Sequence, residues 1–67
     1  MWQKVFEDQL EVRVAIVQGI LTENDIPAVI INKKDSAYQL VGFFEVHVQA
    51  DDVLKAIKII QEEIKFE

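Results

Sequence analysis

The sequence predicts an α+β fold in which two helices pack on one face of a short antiparallel sheet. Two segments place their apolar residues at helical spacing, and three short runs have strand character. The best of these runs, Phe43 to Gln49, alternates apolar and polar residues. Two helices with one apolar stripe each need a single apolar sheet face to cover.

Trp2 to Phe6 reads as the first strand, with Trp2, Lys4 and Phe6 on one side and Gln3 and Val5 on the other. Asp8 is placed to cap the helix that follows, and Glu11 suits the positive end of its dipole. From Gln9 to Asn24, residues Leu10, Val14, Ile16, Val17, Ile20 and Leu21 fall in one apolar arc. Arg13 lies within that arc near the helix start, where its stem can cover apolar surface while its charge stays wet. A mid-helix glycine costs roughly 1 kcal/mol against alanine, so Gly19 is expected to mark the close approach of a strand. Asn24-Asp25 can adopt the left-handed conformation that ends a helix, and Pro27 forbids its continuation. Ala28-Val29-Ile30-Ile31-Asn32 is then an apolar strand, and Pro27 at its start marks an edge strand or a strand entry.

The connection from Lys33 to Leu40 is polar at first and contains no glycine, so it is no two-residue hairpin turn. Gly42 precedes the alternating strand, in which Phe44, Val46 and Val48 face the core and Phe43, Glu45, His47 and Gln49 face outward. Asp51-Asp52 opens a second helix running to about Lys65, with Val53, Ala56, Ile57, Ile60 and Ile64 as its stripe and Ile59 outside it. Phe66 is expected either to extend a short last strand or to fold back onto the core. The order is β-α-β-β-α(-β), a ferredoxin-like arrangement with the third strand between the first and second. Val14, Val17 and Leu21 are expected to meet Ile57 and Ile60 over Val46 and Val48.

A chain of 67 residues is a single domain, 1–67, with marginal burial for its surface. It has no cysteine and one histidine, so disulfides and thiolate metal sites are excluded and no metal or cofactor is expected. A hydrophobic fraction of 51% suffices for a packed core. The net charge of −5 makes nucleic acid a poor partner. No apolar run approaches a membrane span, no signal-peptide core is present, and a cytoplasmic location is the default expectation.

The segment Val14-Ala15-Ile16-Val17-Gln18-Gly19-Ile20-Leu21-Thr22-Glu23-Asn24-Asp25-Ile26 resembles the helix-to-strand region of a small bacterial family of unknown function, catalogued as putative prokaryotic signal-transducing proteins. Ile31 to Tyr38, Gly42 to Val48, Asp51-Asp52 and Ala56 resemble its later strands, loop and second helix. Its members typically read leucine, glutamate, asparagine, glycine, isoleucine at the helix end, so Asp25 stands where they have glycine. The resemblance implies a ferredoxin-like fold like that of the PII nitrogen regulators, and signalling by analogy of fold.

Two surfaces are candidates for function. The sheet face opposite the helices is left uncovered, and Trp2, Phe6, Phe43, Glu45 and His47 are assigned to it. An aromatic-bearing open sheet suits self-association, giving a homo-oligomer, or docking of another protein. The loop residues Asn32, Lys33, Lys34, Ser36 and Tyr38 offer ammonium groups, a hydroxyl, an amide and a ring to a small anionic effector or a partner's carboxylate. Packing of that loop by its own side chains is the plainer reading. Glu45 with His47 falls short of a metal site, which needs more ligands in fixed geometry. Asp51-Asp52 is better read as helix capping than as a cation site. Val41 to Val48 echoes the aromatic strand of RNA-recognition domains but lacks its basic residue. No nucleophile with a base, no paired carboxylates in an apolar pocket and no phosphate-binding glycine loop are present, so the chain is not expected to be an enzyme. It reads as a non-enzymatic regulatory or interaction module, with a small-ligand sensor as the alternative.

Overall fold

The computed structural model describes residues 1–33 and 43–64. The chain runs β1 (Trp2–Asp8), α1 (Glu11–Glu23), β2 (Ala28–Asn32), β3 (Phe44–Gln49) and α2 (Val53–Glu63), the last entered through a 3₁₀ turn at Ala50–Asp52. The strands form one antiparallel sheet in the order β1-β3-β2, so the third strand is central and the α+β, ferredoxin-like order holds. The last short strand expected at Phe66 lies outside the described residues.

Both helices pack on one sheet face. Val14, Val17 and Leu21 of α1, Ile26, Val46 and Val48 of β3 and Ala56 of α2 form the buried centre. Val5, Phe6, Ala28, Ile30, Phe44, Val53, Ile59, Ile60 and Ile64 close around it. The α1 stripe is therefore narrower than the predicted arc. Leu10 and Ile16 are exposed, because the sheet face can cover only the flank centred on Val14, Val17 and Leu21.

The α2 stripe is rotated from its expected position. Ile57 is 36% exposed, whereas Ile59 packs against the core. The helix lies over β1 and β3, at one side of the sheet. Only the flank turned towards the sheet centre is covered, and Ile59 rather than Ile57 falls on it.

Phe6 also departs from its expected face. The β1–β3 register runs Lys4↔His47 and then Phe6↔Val46, so Val5 is an extra, bulged residue. A bulge shifts the two-residue alternation by one. Trp2 and Lys4 stay on the open face, but Phe6 turns with Val46 to the core. Nor does Gly19 receive a strand, for a Cβ built on it would meet nothing within 4 Å.

The ends of α1 are fixed by side chains and by one unusual backbone angle. Leu10 occupies the N-cap position, and its N–H donates to Asp8 Oδ1 at 2.8 Å. The expected cap thus acts two residues upstream. At the other end Asp25 takes φ 63°. The Asp25 N–H donates to the Thr22 carbonyl at 3.0 Å and the Ile26 N–H to the Leu21 carbonyl at 2.9 Å. This is a Schellman motif, completed by the apolar contact expected between its two ends, here the buried Leu21 and Ile26. Asp52 stands at the N-cap of α2 but makes no side-chain capping bond. Its φ of −103° and ψ of 0° depart from the extended geometry that aims a cap side chain at the first turn.

Candidate functional site

The sheet face turned away from the helices carries a mixed polar and apolar lattice, set by the strand register. Trp2 stands opposite Gln49, Lys4 and Val29 flank His47, and Glu7 and Ile31 flank Glu45. The alternation of β3 sends Glu45 and His47 to this face because Val46 and Val48 are drawn into the core.

Glu45 is the centre of the polar cluster. Its Oε1 lies 2.9 Å from His47 Nε2, and its Oε2 lies 3.8 Å from Lys4 Nζ. Lys4 Nζ also contacts Glu7 Oε1 at 2.9 Å. Glu7 and Glu45 face one another directly across two strands, a placement that repels unless a cation sits between them. Lys4 supplies that cation. The Glu45 carboxyl is held below its ordinary range chiefly by the His47 hydrogen bond, against an opposing push from burial. The Lys4 and Lys33 charges add to the lowering. Lys33, assigned from the sequence to the loop candidates, is thus close enough to act on this cluster.

Apolar side chains border the cluster. Trp2 is 42% exposed and Val29 is 36% exposed on this face, with Ile31 half-buried beside Glu45. The side chains of Glu45 and His47 are only 15% and 16% exposed. The result is a partly desolvated charged centre rimmed by an indole and two branched aliphatic groups.

The remaining predicted residues are distributed elsewhere. Phe6 belongs to the core side. Phe43 is half-buried at the end of the sheet, where with Glu7, Asp8, Leu10 and Arg13 it lines a shallow pocket of about 430 Å³. Asp8 and Arg13 answer each other there, with 3.4 Å between Oδ2 and Nη1. The Leu10 N–H and then Arg13 hold the Asp8 carboxyl low. Asn32 is exposed at the end of β2, opposite Phe44. Lys34, Ser36 and Tyr38 lie outside the described residues, and with them most of the proposed ligand loop.

Four residues of the open face, Lys4, Glu7, Val29 and Ile31, were not among the sequence candidates. Their signal was present in part. Lys4 shares the parity of Trp2, and an edge strand that is apolar on both parities must turn half its apolar residues away from the core. Among the described residues no three His, Asp or Glu side chains are grouped to hold a metal ion, and no helix is long and apolar enough to cross a membrane.

A family model described as "putative prokaryotic signal transducing protein" matches residues 2–64. No curated protein and no solved structure matches the chain.

Proposed function

Because the chain belongs to the family described by that model, we propose that it serves signalling as a non-enzymatic module that docks a protein on its open sheet face. The observation that carries this reading is the lattice of Trp2, Val29 and Ile31 around the Glu45–His47–Lys4 cluster, on the face that neither helix covers. Aromatic anchors are enriched at protein interfaces, and charges beside them fix the register and choice of a partner. The acidic charge at Glu7 and Glu45, neutralised in part by Lys4 and Lys33, favours a partner surface that brings its own cation. Among the described residues of this face no nucleophile stands beside a base, which favours docking over a reaction.

The test is a comparison of wild type with Trp2→Ala and with Glu45→Ala in capture of partners from a native extract, with circular dichroism to verify folding. Both variants are expected to fold and to lose the captured protein. Undiminished capture by two folded variants would remove the open face from the function.

A further inference from the structure

The two outer edges of the sheet are guarded unequally. On β1 the Val5 bulge breaks the regular spacing of the outer backbone groups, and Lys4 and Glu7 add charge along the strand. Bulges and charges of this kind are how edge strands avoid pairing with other chains. The β2 strand, Ala28–Asn32, has no bulge, no charged residue and no internal proline.

The direction of its backbone groups follows from one bond. The Lys33 N–H donates to the Phe43 carbonyl at 2.8 Å. In an antiparallel ladder the inward-bonding residues alternate, so Ile31 and Val29 bond β3 and Ile30 and Ala28 point outward. The Ala28 carbonyl accepts the Gln18 Nε2–H at 2.9 Å, a side-chain amide standing where a neighbouring strand would place its N–H. The outward N–H and carbonyl of Ile30 have no such partner among the described residues.

We propose that β2 pairs antiparallel with the β2 of a second copy of this chain, about a two-fold axis beside Ile30, making one continuous sheet across the two copies. The occupant is a second copy because Ile30, midway along the strand, can meet its own counterpart while Gln18 keeps the Ala28 carbonyl at each end. Ile30 would exchange both of its outward hydrogen bonds with its own counterpart, as an isologous contact requires. In this register Val29 opposes Ile31 of the second copy on the open face, and the reverse. Four aliphatic side chains then adjoin across the axis. Lys33 then opposes the second copy's Pro27, with the exposed Asp25 of that copy two residues before it in the chain. This inference concerns the sheet edge and stands apart from docking on the sheet face.

The experiment is sedimentation velocity on the full chain from micromolar to millimolar concentration, with amide exchange followed by NMR over the same range. A dimer is expected to form, and exchange at the Ile30 amide is expected to slow by at least about tenfold as it does, because that N–H becomes hydrogen-bonded. A chain still monomeric at millimolar concentration overturns the proposal. So does a dimer in which the Ile30 amide exchanges as it does in dilute solution, an outcome that assigns dimerisation to another surface and leaves the reading of the open face intact.

Discussion

At Asp25 the backbone adopts a left-handed angle that costs an L-residue roughly 1 kcal/mol and glycine almost nothing. At Gly19 the situation is reversed, for a residue without a side chain sits in an exposed helical turn where a Cβ would meet nothing. The two glycine preferences are crossed, and each substitution that uncrosses them should stabilise. Asp25→Gly is expected to add up to about 0.5 kcal/mol, the relief of strain less the greater freedom of glycine in the unfolded chain. Gly19→Ala is expected to add about 1 kcal/mol from helix propensity. Urea midpoints for the two single variants and the double variant check both values, and the sites are separate enough for the gains to add. A loss on Gly19→Ala would mean that a partner backbone approaches the helix there. Residue type in the sequence correctly marked Asn24-Asp25 as a helix end. It could not show why Gly19 is where it is, since propensity says only what a glycine costs and the space around it is a property of the fold.

At the scale of the elements, periodicity supplies the order of residues around a helix but not the angle at which the helix sits. The stripe of α2 contains Val53, Ala56, Ile60 and Ile64 in either reading, and the choice between Ile57 and Ile59 depends on which side of the sheet the helix lies over. Ile59→Ala should accordingly cost about 2 kcal/mol, and Ile57→Ala less than about 1 kcal/mol. Equal urea midpoints for the pair would return the helix to its sequence-based orientation. A similar limit applies to β1. Its alternation was readable from Trp2 and Lys4, yet Val5 carries no glycine or other mark of a bulge, and the phase change that turned Phe6 inward was invisible. By contrast β3 is constrained on both sides by neighbours, and its two faces were assigned correctly from alternation alone. The open face was therefore legible where β3 supplies it, in Glu45 and His47. It was incomplete where the edge strands do, in Lys4, Glu7, Val29 and Ile31.

For the whole molecule the electrostatics predict sensitivity to acid. The Glu45 carboxyl sits below its ordinary 4.5 and that of Asp8 below its ordinary 3.8. A carboxyl depressed in the folded state gives stability that is present above its unfolded value and lost as the pH falls through its folded one. Stability should hold on the neutral side of 4.5 and decline below it, first through Glu45 and then through Asp8. Glu45→Gln should make that decline shallower, as read from urea midpoints across the acid range. Parallel declines for variant and wild type would remove Glu45 from the effect. The strand order has another consequence, one of timing. β1 and β2 share no ladder and are joined in the sheet only through β3, the last of the three to leave a ribosome. A nascent chain that has completed β1, α1 and β2 holds two strands without a ladder between them, and α1 is the one element that packs against both until Phe44 to Gln49 emerges. Native pairing therefore begins late in synthesis, and until then the apolar run Ala28-Val29-Ile30-Ile31 is the stretch of the emerging polypeptide most in need of a chaperone.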